Sequence, residues 1–363
     1  MGISFIMRSF GGITLAPKSL YAIPAIILVL LWFRSNARGS FAPIPTKSPS
    51  RNGIPTNNYA FTAFLASSNE AADDNKDLYF VATRMMIYQL LHDPETRTNN
   101  SYPFVVLVTK DVCQYSLLSL EGFKELTTYY VAERKKNRLV KDGAEVIVVE
   151  KLSLEWAKVR KQWQDVLTKL RLFELVQFDK VLFLDSDTII TKRMDGIFDD
   201  PAAQSQKNLG DSSENKSPTD EGQQPSTYLF AGNAGSGGYD HVYPPPKGNN
   251  FNAGCMVFRP SKEMFEYYSR LAKIKDRFPG RTPEQSLWSY AHRRDGNMPW
   301  KQLHHDWNVN WATWDDKEHG IASLHSKFWE LDHDKKLQEF AMKIRWEMEG
   351  YWKGVEKDLV SIQ

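Results

Sequence analysis

The sequence predicts an α/β domain built on a mostly parallel sheet. One observation is the alternation of short apolar runs with longer segments of helical apolar spacing. A second is that the runs Phe104–Thr109 and Val181–Leu184 are continuous rather than alternating, as in strands covered on both faces. The third is that Val181–Leu184 runs straight into two carboxylates, Asp185 and Asp187, at the strand end where open α/β sheets bind ligands.

The elements follow in order. Tyr59–Leu65 reads as a first strand, Leu78–His92 as a helix, Phe104–Thr109 as a buried strand and Leu117–Lys136 as a helix. Glu145–Val149 is a strand, Gln162–Val176 a helix, and the strand before Asp185 completes a β-α-β-α-β-α-β series. Ala202–Thr227 is polar and reads as a mobile surface insertion, and Gly232–Asn250 as a long ordered loop near a site. Phe251–Phe258 forms a strand entered through small residues, followed by a helix over Lys262–Lys275. Pro283 opens another helix, Ile321–Trp329 holds a last short strand, and Asp334–Gly354 is a charged terminal helix.

Composition excludes several classes. The 363 residues carry a net charge of +2 with basic and acidic residues interspersed, so no nucleic-acid surface is expected. Two cysteines, Cys113 and Cys255, offer neither a disulfide framework nor zinc spacing. Neither a Gly-x-Gly-x-x-Gly fingerprint nor a Walker loop occurs. Before the domain, Ser19–Phe33 is an uncharged apolar stretch between Lys18 and Arg34, and Gly39–Asn58 is a Ser/Pro/Asn-rich stem. The organisation expected is a tail (1–18), a retained signal anchor (19–34), a stem (35–58), the catalytic domain (59–333) and a C-terminal helix (334–363). Cleavage after Ser35-Asn36-Ala37 is the alternative. Asn99-Asn100-Ser101 and Asn215-Lys216-Ser217 are glycosylation acceptor patterns.

The chemistry begins with Asp185 and Asp187. Side chains two apart on an extended segment point the same way, so both carboxylates can face one hard divalent cation. An isolated Asp-x-Asp is a weak signal, because the chain has a second copy, Asp332-His333-Asp334, in a helical-looking segment. Glu284 taken alone is as readily a helix-start carboxylate, and His325 alone a structural histidine. Trp300–Trp314 is dense in His, Trp and Asn, which suits either a sugar site or an aromatic core.

Five segments in a fixed order carry more than any one of them: Thr168-Lys169-Leu170, Asp185-Ser186-Asp187, Phe251-Asn252-Ala253-Gly254, Glu284-Gln285 and Leu324-His325-Ser326-Lys327-Phe328-Trp329. On these the chain, from about Tyr59 to Trp329, resembles a glycogenin-type member of glycosyltransferase family eight, nearest to its fungal Golgi N-acetylglucosaminyltransferases. The resemblance implies a single nucleotide-sugar-binding domain of GT-A type, Rossmann-like, and retaining transfer from a UDP-sugar to a glycan with Mn²⁺. UDP-N-acetylglucosamine is favoured, and UDP-glucose or UDP-galactose is the alternative. It implies Asp185, Asp187 and His325 as metal ligands. Lys169 would pair with the diphosphate, Asn252, Ala253 and Gly254 would line the donor sugar, and Glu284 with Gln285 would flank its reacting face. Tyr79 and Lys327 are the matches for nucleotide contacts. Two departures stand out. Glu284 replaces the family's usual Asp, and the closing histidine motif is compressed to His325-Ser326-Lys327-Phe328-Trp329. The implied location is the Golgi membrane, single-pass type II with a lumenal catalytic part, or secretion after cleavage.

Three rivals remain. A nucleotide-sugar pyrophosphorylase needs a glycine-rich basic loop after the first strand, where Ala66–Asp77 is acidic. A non-catalytic sugar-binding scaffold has no need of the metal trio. A self-glucosylating glycogenin-like enzyme needs an acceptor tyrosine that no motif here marks.

Overall fold

A computed structural model of the chain describes residues 57–66, 74–109, 133–160, 163–211, 217–245 and 248–361. Two compact units divide the chain, Met1–Ile54 and Pro55–Gln363, and the first lies wholly outside the described residues. The expected anchor, its flanks, most of the stem, Cys113 and most of the helix expected over Leu117–Lys136 therefore fall outside them. No described helix is long and apolar enough to cross a membrane.

The described strands are β1 (Tyr59–Leu65), β2 (Phe104–Thr109), β3 (Glu145–Val149), β4 (Lys180–Leu184), β5 (Thr188–Ile190), β6 (Gln206–Lys207), β7 (Thr227–Tyr228), β8 (Phe230–Ala234), β9 (Phe251–Phe258), β10 (Lys301–Gln302), β11 (Val309–Asn310) and β12 (Ser323–His325). The helices are α1 (Leu78–Leu91), α2 (133–141), α3 (Lys262–Leu271), α4 (Pro283–Ala291), α5 (Trp314–His319) and α6 (Lys335–Ser361). A seven-stranded sheet runs β10-β8-β9-β4-β1-β2-β3, and β9 alone runs against its neighbours. The fold is thus α/β with a mixed, mostly parallel sheet. A small sheet, β11-β12-β5, sits where the chain leaves β4.

Period-two alternation splits the continuous apolar runs between two cores. Val105, Leu107, Val181 and Phe183 enter one, with Leu170, Phe173, Phe258 and Trp288. Phe104, Val106, Val108, Leu182 and Leu184 enter the other, with Phe80, Met86, Ile197 and Phe198. Both faces of the central strands are buried, which is why their sequence shows no polar alternation.

Several expectations change. The helix expected over Gln162–Val176 is a 3-10 run, Val166–Glu174. Leu167, Leu170 and Phe173 recur every three residues and all enter one core, the repeat that 3-10 winding stacks in line. The loop expected over Gly232–Asn250 is shorter, because Gly232–Ala234 belong to β8 beside β9. The segment 202–227, expected as a mobile insertion, is fastened at several points, among them the Leu209 N–H donating to the Asn297 carbonyl at 2.9 Å. β6 pairs with β7, and Glu221 is fully buried. Its carboxylate accepts hydrogen bonds from Tyr267 (3.1 Å) and Tyr290 (2.5 Å) and pairs with Arg277 (2.5 Å). Of the two acceptor patterns, Asn99 is exposed, while Asn215 lies outside the described residues.

His292, at the end of α4, is fully buried against Phe230, with ring centroids 4.0 Å apart. Its Nδ1 faces the Met298 carbonyl at 2.6 Å and so must donate, leaving Nε2 to accept from the Tyr268 hydroxyl. Burial holds the imidazole neutral and lowers its pKa from 6.5 to about 3. The folded pKa lies below the unfolded one, so this contribution is complete above about pH 6.5. It is lost on acidification toward pH 3, at up to about 1.4 kcal/mol per pH unit. Urea unfolding of wild type and His292→Gln across that window should show the wild type losing stability faster as pH falls. Parallel curves would remove His292 as a source of acid sensitivity.

Candidate active site

The reversed strand makes the site. Because β9 is antiparallel to β4, its first residues lie beside the last residues of β4, and the Asp185 N–H donates to the Gly254 carbonyl at 2.9 Å. Asp185, Ser186 and Asp187 then turn between β4 and β5. Ser186 Oγ donates to the Phe64 carbonyl at the end of β1 (3.2 Å), fixing the turn at the boundary where strand order changes direction. His325 ends β12, which pairs with β5 so that His325 opposes Thr188, and the Ser326 N–H donates to the Asp187 carbonyl at 3.1 Å.

These backbones aim the side chains at one another. His325 Nε2 lies 3.2 Å from Asp187 Oδ1 and 3.8 Å from Asp185 Oδ2. The ligand atoms of Asp185, Asp187 and His325 all lie within 4.8 Å of one another. Lys169, on the 3-10 run, reaches Asp185 Oδ1 at 2.7 Å and Glu284 Oε1 at 3.2 Å. Asp185 is therefore shared, with one oxygen on the ammonium and the other turned toward the imidazole. Glu284 is buried in the first turn of α4, and its Oε2 has no hydrogen-bond partner. Gln285 Oε1 accepts from the Ala253 N–H at 3.1 Å, and Asn252 Oδ1 accepts from the Gly254 N–H at 3.0 Å.

Burial and charge oppose each other throughout. Burial alone would lower the Lys169 pKa, but Asp185 and Glu284 outweigh it and hold the ammonium above its ordinary value. Burial would raise the Asp187 carboxyl, yet the facing His325 holds it below. The imidazole, pulled down by burial, is raised in turn by Asp187 and Asp185.

The sequence-singled residues largely converge. Lys169, Asp185, Asp187, Asn252, Ala253, Gly254, Glu284, Gln285 and His325 line one region. Tyr79, at the start of α1, is near enough that Asp187 and Asp185, after burial, raise its hydroxyl pKa. Its ring meets Trp329 edge-on at 5.0 Å. Lys327 does not join them: its ammonium pairs with Glu330 at 3.3 Å. The second Asp-x-Asp has a bland role. Asp334 accepts from Leu337 N at the start of α6 (3.0 Å), and Asp332 pairs with Lys335.

Gly254 is a residue whose necessity the sequence did not expose. A Cβ there would lie 2.2 Å from both Nδ1 and Cε1 of His325. The strand packs its bare Cα against the imidazole face, and no larger residue leaves the ring in place.

Fold and site together define an α/β protein with two carboxylates and an imidazole converging beside a buried lysine. No family model matches the chain. It belongs to one family with two uncharacterized proteins of Schizosaccharomyces pombe, C4C3.09 and C5H10.12c. The first is 32% identical over 289 residues, 71% of this chain and 69% of that protein. The second is 31% identical over 288 residues, 70% of each. A putative UDP-glucuronate:xylan alpha-glucuronosyltransferase 5 of Arabidopsis thaliana is 25% identical over 201 residues, 52% of this chain and 32% of that protein. Among solved structures, galactosyltransferase LgtC with donor and acceptor sugar analogs overlays on 79% of this chain and 95% of its own, at 14% identity and a TM-score of 0.43. Mouse xyloside xylosyltransferase 1 overlays on 74% of this chain and 97% of its own, at 12% identity and a TM-score of 0.41.

Substitutions at three positions probe this geometry. Gly254→Ala should displace the His325 ring and lower the unfolding free energy by about 1–3 kcal/mol, the cost of overpacking. An unchanged melting midpoint would show that the ring moves freely. Lys169→Met should cost about 3–5 kcal/mol by stranding buried carboxylates. Adding Glu284→Gln should recover part of that loss in calorimetry, because one of the stranded charges is removed.

Proposed function

We propose that this chain is a metal-dependent, retaining glycosyltransferase of the GT-A type, moving a sugar from a UDP-sugar to a glycan acceptor. The observation that carries this reading is the placement of Lys169 against Asp185 and Glu284, with Asp187 and His325 converging on the far side of Asp185. A fixed cation adjoining a set of oxygen and imidazole ligands suits a diphosphate bound together with a divalent ion.

The donor set fits such an ion. Metal–ligand distances of about 2.0–2.2 Å tolerate ligand separations up to about 4.4 Å; the His325–Asp187 and His325–Asp185 distances are 3.2 and 3.8 Å, and all three ligand atoms lie within 4.8 Å of one another. Asp185 Oδ2, Asp187 Oδ1 and His325 Nε2 would hold it, and the imidazole favours Mn²⁺ over Mg²⁺. Held by these residues, such an ion would supply positive charge to offset the negative charge developing on the departing UDP.

The chain's own residues do the rest. Asp185 and Glu284 engage two of the three Lys169 N–H groups, leaving one for a phosphate oxygen. Because the ammonium is already desolvated and fixed, it stabilises the leaving group without reorganising. Glu284 Oε1 holds the Lys169 ammonium and Gln285 Oε1 accepts from the Ala253 N–H, so this pair would fix the cation and the strand start beside the donor sugar. With no obvious buried nucleophile among the described residues, retention is proposed to proceed by same-face attack. The acceptor oxygen bonds the sugar's anomeric carbon as its bond to the phosphate oxygen breaks, and the departing phosphate takes the acceptor's proton. UDP-N-acetylglucosamine is the favoured donor, with UDP-glucose and UDP-galactose as alternatives. The proposed location is the Golgi membrane, type II, anchored by Ser19–Phe33 with the catalytic unit in the lumen.

Thermal melting with UDP and Mn²⁺ tests the donor site. A ligand at a hundred times its dissociation constant adds about 2.7 kcal/mol, so a raised midpoint that needs both components is expected. Asp187→Ala should abolish it, and ADP with Mn²⁺ should give less. A midpoint unmoved by UDP plus Mn²⁺ would overturn the reading.

A further inference from the structure

Three described residues other than glycine adopt left-handed backbone: Ser101, Asp276 and Trp311. Short polar residues visit that region readily, whereas a bulky one there is an outlier. Trp311 has φ 58° and is 48% exposed, so burial does not offset the strain. Such strain persists only where the surroundings impose it, and it concentrates at functional sites.

The surroundings that impose it are the site's own supports. Asn310 pairs with His325 across β11 and β12. Asn310 Oδ1 accepts from the Ser236 N–H at 2.8 Å, and its carbonyl accepts from the Ser236 hydroxyl at 2.5 Å. On the other side, the Ala312 carbonyl accepts from the Ser326 hydroxyl at 3.4 Å. Trp311 is thus the exposed step between two residues tied to the His325–Ser326 strand end. Tyr239, 36% exposed, meets the indole edge-on at 5.0 Å and 86°, and its own ring lies 3.8 Å from that of His333.

We propose that Trp311, braced by Tyr239, is the platform for the acceptor sugar, a pyranose residue that lays its C–H face on the indole. The ring's negative face attracts the weakly positive C–H groups of a sugar, and a two-torsion aromatic supplies that surface at low entropic cost. The step beside His325 puts the platform next to the transfer site while keeping the indole itself open. This assignment rests on the glycosyltransferase reading.

The test uses the full chain in detergent, labelled with 5-fluorotryptophan and saturated with UDP and Mn²⁺. The Trp311 fluorine resonance is assigned by its loss in Trp311→Phe. The probes are p-nitrophenyl pyranosides of mannose, glucose, galactose, xylose and N-acetylglucosamine. At least one should move the Trp311 resonance, and Trp311→Gly should weaken its binding tenfold or more. Glycine accepts the left-handed backbone, so this variant should melt no lower than wild type and keep its response to UDP and Mn²⁺. Trp311→Asn, which tolerates the same φ, is the second variant should the glycine chain fold poorly. A resonance unmoved by every pyranoside, or variants that bind as wild type does, would overturn the platform while leaving the donor site standing. A wild-type midpoint unmoved by UDP and Mn²⁺ is the separate failure of the donor reading, and the acceptor assignment falls with it.

Discussion

The hydrogen bond from the Asp185 N–H to the Gly254 carbonyl is the constraint on which the site depends. It exists because β9 enters the sheet against the direction of β4. A parallel strand in that position would bring the end of β9 to the carboxylates and carry Asn252 to the far edge. The reversal superimposes a strand end on a strand start, so two segments some seventy residues apart in the chain share one rim. Gly254 then admits the His325 ring, Asp187 receives the Ser326 N–H, and the second sheet is locked to the first through the same few residues.

The charge arrangement follows from that geometry. Three carboxylates, one ammonium and one imidazole meet in a partly desolvated space, where an unpaired charge is expensive. Lys169 spans two carboxylates and His325 faces the third, so each charge has a partner before any ligand arrives. The site is therefore held in place by its own charges.

Much of this was legible in the sequence, for identifiable reasons. Strands buried on both faces show themselves as unbroken apolar runs, as β2 and β4 do, and the strands expected at β1, β3 and β9 also lie where the sequence placed them. Asp185, Asp187 and His325 were marked by residue type and order, and the fold brings them together. Other features depend on contacts between distant segments. Nothing local says that Leu167, Leu170 and Phe173 wind as a 3-10 run rather than an α-helix, since the core they enter decides it. Glu221 sits in a polar stretch with no apolar pattern, and only Tyr267, Arg277 and Tyr290 reveal it as buried. Lys327 is matched to a nucleotide contact only through the resemblance, within a compressed motif, and its ammonium here pairs with Glu330.

Glu221 has a consequence for how this chain can vary. Its carboxylate joins α3, the connection after it and the last turn of α4, whose first turn carries Glu284 and Gln285. The strap that delivers it is fixed at its other end by the β6–β7 pair. Between those fixed points, loop closure grows costlier by only about 0.6 kcal/mol for each doubling of length. Residues can be gained or lost along the strap while the β6–β7 pair and the Glu221 contacts hold, so this stretch can diverge in length without moving α4, whose first turn carries Glu284.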